Sequence, residues 1–457
     1  MASFFPAAQQ QAGTTKVLLR DSDGSVVRRT VMPTGLRVIS DSVPGVRSAT
    51  IGVWAAAGSR DETAISAGAA HFLEHLLFKG TPSRSALQIA SEVDGVGGEL
   101  NAFTAKEYTC FYARVQDRDL CVAVDLLMDV TTGALLRTED IEAERSVVLE
   151  EISMHEDDPA DVAHEHLQRL VLNPSRLARP ILGTRQSITD MSPAVIRSFF
   201  RRKYKPEDLV IAAAGNVVHK DLVCLVTAFC ERLDLPTAVA PTDHAALRRT
   251  CAGPSRTRSA VQIGTWPGEQ CHLTMGTAGL PGIHPDRRAL DVLNVIVGGS
   301  MSSRLFQSVR ERHGLAYSVY SFHTPYSDGG VWGIAAGCNP DKVLDVLSLV
   351  RKELDLVLSG GLSRDEIARA KGHLSGALVL AGEDGGARMT RLGRCEVGVG
   401  ELLSVDEALG RIEAVTVEDL QRLAESVLTR PLTIAVVGPL EDDDKTRGEL
   451  VAAVSPE

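Results

Sequence analysis

Apolar residues in this chain recur with two periods, and the changes between them mark out elements. Val53-Trp54-Ala55-Ala56-Ala57 reads as a strand closing on the turn Gly58-Ser59-Arg60-Asp61-Glu62. Phe72, Leu73, Leu76, Leu77 and Phe78 then fall on the buried face of a helix. Lys79-Gly80-Thr81-Pro82 ends it, with a cation in the last turn, a glycine stop and a proline beyond. Gly97-Gly98 predicts a turn leading into a strand through Thr104, and the stretch Glu142 to Ile152 predicts an acidic helix. Arg287 to Val297 reads as a core helix, and Val261 to Thr274 alternates as a strand does.

The pattern repeats. One half ends in a helix start at Ser192-Pro193, a short approach and the strand Leu209-Val210-Ile211-Ala212-Ala213-Ala214-Gly215. The other ends in a helix around Val417-Glu418-Asp419-Leu420, then Leu432-Thr433-Ile434-Ala435-Val436-Val437-Gly438. Order and spacing both recur, so duplication is the simpler account. The expected division is a partly flexible tail over 1–30, a first domain over 31–236 and a linker over 237–258. A second domain over 259–445 and a tail over 446–457 complete it. Long helices mixed with strands in each half predict an α+β fold, two related domains each with a sheet covered by helices.

The 457 residues suit two cores better than one. A net charge of −11 argues against nucleic acid as a partner. Eight cysteines form no C-x-x-C pair, so neither a cysteine metal ribbon nor a disulfide framework is indicated. No secretory signal is evident at Met1-Ala2-Ser3-Phe4-Phe5, and no segment reaches the roughly 20 apolar residues that a membrane helix needs.

The chemistry begins at His71-Phe72-Leu73-Glu74-His75. On a helix, His71, Glu74 and His75 share one face. Two neutral imidazoles at that spacing can hold a divalent ion, and the carboxylate beside them can take a proton from water. The order is the H-x-x-E-H signature, HExxH reversed. An ordinary amphipathic helix would also accommodate these residues. A catalytic zinc site needs a third ligand, and the acidic helix offers Glu144 and Glu151 on one stripe, with Glu142 and Glu150 read as solvated.

These segments resemble the pitrilysin/insulinase family of zinc peptidases: Gly58-Ser59-Arg60-Asp61-Glu62, His71 to Thr81 and Glu144 to Ile152 carry the likeness. The nearest branch is that of the mitochondrial processing peptidase and its bacterial relatives. The resemblance implies mostly antiparallel sheets. It implies one zinc ion per chain held by His71, His75 and Glu151, Glu74 as general base and Glu144 in support. Glu151 follows His75 by 76 residues (151 − 75), which fits the family spacing. The second half has no H-x-x-E-H. Its Arg310 and Tyr317 match a family pair that reaches a zinc site and holds the scissile region. The strand at Asn101 and Ala102 matches the sheet edge on which an extended peptide lies.

The expectation is a zinc endopeptidase acting on peptides or unfolded segments in a closed chamber, in a bacterial cytoplasm, with no membrane partner. It would be a homodimer, or a heterodimer with an inactive relative. The alternative is a non-catalytic peptide-binding or scaffold subunit of the same fold.

Overall fold

A computed structural model describes residues 7–249, 260–399 and 401–455. The chain forms two compact units, each built from segments distant in sequence. The first comprises Met1–Ile152, Arg179–Thr250 and Val379–Ala408; the second comprises Ser153–Ala178, Cys251–Leu378 and Leu409–Glu457.

The first unit holds a seven-stranded sheet. Its strands are β1 (Thr15–Arg20), β2 (Val26–Val31), β3 (Arg37–Ser42), β4 (Ser48–Ala55), β5 (Glu99–Thr104), β6 (Thr109–Gln116) and β7 (Leu209–Gly215). They lie in the order β1-β2-β3-β7-β4-β6-β5, and only β3 and β7 run parallel. The second unit holds β8 (Val261–Thr265), β9 (Cys271–Ala278), β10 (Ala316–Pro325), β11 (Gly330–Cys338) and β12 (Thr433–Gly438). Their order is β10-β11-β9-β12-β8, with only β12 and β8 parallel. The five strands repeat β5-β6-β4-β7-β3 position for position, including the single parallel pair. The duplication expected from the sequence is therefore present as topology, and the α+β reading with mostly antiparallel sheets holds.

Every residue of β7 is buried because both sheet faces are covered. Leu209, Ile211 and Ala213 join one core with Phe72, Leu73 and Leu76 of the helix Ala69–Leu76. Val210, Ala212 and Ala214 face the other way, with Trp54 and with Met389 and Leu392 of the helix Gly385–Arg394. That helix comes from the far end of the chain. Gly393 lies so close to Trp54 that an added Cβ would stand 2.0 Å from the ring, so only glycine fits there. Conversely, the helix Pro159–Leu172 packs on β9, β11 and β12 of the second unit.

Several expected boundaries shift. Residues 15–30, expected in a tail, lie in the β1–β2 hairpin, because Thr15–Arg20 and Val26–Val31 pair antiparallel on the sheet. Part of the expected linker is the short helix His244–Arg249. Its Arg248 is buried and donates to the Ala56 carbonyl at 3.0 Å and to Asp61 at 2.9 Å. Residues 250–258 of that linker lie outside the described residues. Residues 446–454 belong to the helix Asp444–Val454, capped by Asp443 accepting from the Thr446 N–H at 2.7 Å. The alternation from Val261 to Thr274 is two strands, broken at Trp266-Pro267-Gly268. Residues 153–178, expected in the first domain, pack in the second unit, and 379–408 pack in the first. No helix among the described residues is long and apolar enough to cross a membrane.

A buried charge cluster ties Glu396 to the first sheet. Its carboxylate accepts from Arg29 Nη1 at 2.8 Å, and its carbonyl accepts from Arg37 Nη1 at 3.0 Å. Burial holds the Arg37 guanidinium below its ordinary pKa. Removing one partner of such a set strands a buried charge, which costs about 3–5 kcal/mol. Glu396→Ala is expected to lower the opening free energy of β2 and β3 by that amount, read by native-state hydrogen exchange. Unchanged protection would show that the pairing contributes nothing.

Candidate metal centre

Glu62 starts the helix that carries both histidines. It is fully buried and accepts from the Gly68 N–H and the Ala70 N–H, each at 2.8 Å. These bonds satisfy the orphan donors of the first turn in place of a Ser or Thr cap. Gly68 turns the chain at φ 92, a left-handed conformation that glycine adopts freely. Burial pushes the Glu62 carboxyl up to about 8. Phe72, Leu73 and Leu76 then bury one face of Ala69–Leu76. His71, Glu74 and His75 are left on the other.

The acidic helix runs over Thr138–Glu156, longer than its expected core, and buries Ile141, Glu144, Val148 and Ile152. Arg145 fixes it. Its guanidinium donates to the Met191 carbonyl at 2.9 Å and to the Ile188 carbonyl, pairs with Glu142 and sits 5.8 Å over the Phe72 ring. That contact links the two helices directly.

Glu151 Oε2 lies 3.5 Å from His71 Nε2 and 3.3 Å from His75 Nε2. One ligand atom from each of the three residues lies within 4.8 Å of the other two, the single such group among the described residues. Glu151 Oε2 is buried and has no hydrogen-bond donor. Glu144 and Lys79 hold His75 in place. His75 Nδ1 lies 3.0 Å from Glu144 Oε1. A carboxylate accepts, so Nδ1 donates to it, and the ring is held with Nε2 facing Glu151. Lys79 pairs with the other Glu144 oxygen. Burial, and then the neighbouring His75, press His71 down to about 4, so at neutral pH its imidazole is uncharged. Two imidazole nitrogens thus converge on a buried carboxylate oxygen that has no hydrogen-bond partner, an arrangement that a cation between them would satisfy. The donor set, two imidazoles and one carboxylate, fits a divalent metal with one coordination position open.

Glu74 borders this set. Its Oε2 accepts from the Thr104 hydroxyl at 2.6 Å, and burial raises its pKa. That direction suits a carboxylate that takes up a proton in the reaction.

Asn101 and Ala102 lie on β5, which among the described residues pairs only with β6 and so ends the sheet as an edge strand. Ala102 belongs to the core face shared with the histidine helix, whereas Phe103 turns to the opposite face with Trp54. Arg310 and Tyr317 lie in the second unit and meet each other. The guanidinium stands 5.4 Å from the Tyr317 ring, and the phenol is 79% exposed on the edge strand β10. Arg310 sits in a π-helix, Phe306–Arg312.

Three residues of the site escaped the sequence reading: Glu62, Lys79 and Thr104. Lys79 was legible in principle, standing four residues after His75 on a continuing helical turn. Thr104 follows Ala102 by two, on the same strand face. Glu62 carried no such signal, since its contact depends on how the chain turns between it and the helix.

A family model described as "Insulinase (Peptidase family M16)" matches residues 37–185, and one described as "Peptidase M16 inactive domain" matches 190–374. An "uncharacterized zinc protease" of Streptomyces coelicolor is 48% identical over 436 residues, 95% of this chain and 94% of that protein. A mitochondrial-processing peptidase subunit beta of Blastocladiella emersonii is 33% identical, covering 90% of this chain and 88% of its own length. The crystal structure of a protease from Helicobacter pylori shares the fold at a TM-score of 0.82 and 20% identity, covering 90% of this chain and 99% of that one. By the breadth of these matches, the chain belongs to the insulinase family of peptidases, M16.

Proposed function

We propose that this chain is a zinc metalloendopeptidase that cleaves peptides or unfolded segments. The observation that carries the reading is the convergence of His71, His75 and Glu151 beside Glu74. His71, His75 and Glu151 would hold one zinc ion per chain. When bound, zinc supplies Lewis-acid polarisation of a water molecule and of the substrate carbonyl. Glu74 removes the proton from the attacking water and delivers it to the leaving amine. Glu144, braced by Lys79, orients His75. The edge strand β5 at Asn101 and Ala102 offers backbone groups to an extended peptide, which explains cleavage indifferent to most side chains.

The proposal extends to a dimer enclosing a chamber, in which Arg310 and Tyr317 of one chain serve the metal site of the other. The exposed phenol would donate to the oxyanion, and the arginine would hold the substrate backbone. The mitochondrial-processing peptidase relative, itself named as a subunit, supports pairing with a second, related chain as the other form of this assembly. Seven free thiols among the described residues support a reducing compartment, the bacterial cytoplasm.

The purified chain is expected to contain one equivalent of zinc by elemental analysis and to lose peptide hydrolysis on chelation. Glu74→Gln should keep the zinc and lower kcat by about 10²–10⁴. Full hydrolysis by that variant would refute the assignment of the base. Glu144→Ala is expected to weaken zinc binding by about 10- to 100-fold in a chelator competition, through loss of the His75 partner. An unchanged dissociation constant would remove Glu144 from the site.

A further inference from the structure

β5 ends at Thr104, and this end of the strand meets the histidine helix. The Thr104 hydroxyl donates to Glu74 Oε2 at 2.6 Å and lies 3.3 Å from the hydroxyl of Thr109. Thr109 is fully buried and donates to the Ala57 carbonyl at 2.9 Å. Thr104 and Thr109 are also register partners, the last pair before the β5–β6 turn. The turn is closed by the Ala105 N–H donating to the Tyr108 carbonyl at 2.8 Å. Thr104 is thus fixed by a ladder, by a turn and by a stiff β-branched χ1.

Glu74 is a long side chain on the half-buried face of a short helix, and Thr104 restrains it through its backbone N–H as well as its hydroxyl. The hydroxyl bond on Oε2 selects one rotamer of the carboxylate. The anchoring residue stands at the end of the edge strand. An extended peptide paired along Glu99–Thr104 stiffens the strand end that carries it.

We propose that Thr104 is a positioning residue: its hydroxyl orients the Glu74 carboxylate and couples the base to the strand edge on which the peptide lies. The proposal rests on the reading of Glu74 as general base. A group that acts this way affects the chemical step and leaves substrate affinity alone.

The test uses the full-length zinc-loaded protein and an unstructured fluorogenic peptide. Thr104→Val keeps shape and strand propensity and removes only the hydroxyl; Thr104→Ser restores it. The valine variant should retain its zinc and its thermal midpoint, lose about 10- to 100-fold in kcat and change KM by less than about twofold. The serine variant should recover kcat to within about threefold of the parent. If the valine variant does not fold, Thr104→Ala is read by the same criteria. An undiminished kcat without the hydroxyl overturns the proposal. Equal losses in the valine and serine variants also overturn it, since they indicate packing, and so does a rise in KM at constant kcat. If Glu74→Gln is inactive while Thr104→Val is fully active, only the role of Thr104 falls. If Glu74→Gln remains active, the reading of the base falls with it.

Discussion

Two imidazole nitrogens and a buried carboxylate oxygen pointed at one another define this molecule. The Nε2 atoms of His71 and His75 lie 3.5 and 3.3 Å from Glu151 Oε2, which has no hydrogen-bond partner. Such an arrangement is unfavourable by itself, and a buried polar group without a partner costs free energy. Much of the first unit holds it in place. Glu62 anchors the start of one helix, Arg145 clamps the other, and Glu144 with Lys79 turns His75 toward the centre. Rigidity here favours a cation, because the donors need not be gathered when it binds.

Duplication explains what surrounds the site. Each unit repeats one strand plan, with an edge strand at the same position, β5 in the first and β10 in the second. In the first copy the first α-helix after β4, Ala69–Leu76, carries two histidines and a glutamate. In the second, the equivalent helix Arg287–Val297 carries Ala289, Leu290, Val292 and Leu293 in the core. One copy carries the cluster of His71, His75 and Glu151, and the other carries Arg310 beside Tyr317. The same scaffold thus presents different side chains in its two copies.

The sequence made the centre legible because its spacing is helical. His71, Glu74 and His75 can only share a face, and the acidic helix limits the choice of a third ligand. Both helices and the edge strand formed where the pattern placed them. The exchange of segments between units was not legible. Periodicity says which face of a helix is buried and not which sheet buries it, so Pro159–Leu172 and Gly385–Arg394 read as parts of their own halves. The hairpin of β1 and β2 was missed for a related reason. Its strands carry Lys16, Arg20, Arg28 and Arg29, charges that read as a tail although Arg29 is buried against Glu396. Glu62, Lys79 and Thr104 stayed hidden because their roles depend on tertiary contact.

X-ray absorption at the zinc edge on the purified full-length chain tests the central claim most directly. The account predicts two imidazole nitrogens at about 2.0–2.1 Å and carboxylate or water oxygen at about 2.0–2.2 Å, with no sulfur. It also predicts loss of one nitrogen in His71→Ala or His75→Ala. A sulfur shell at about 2.3 Å, or a spectrum unchanged by those substitutions, would place the metal elsewhere and contradict it.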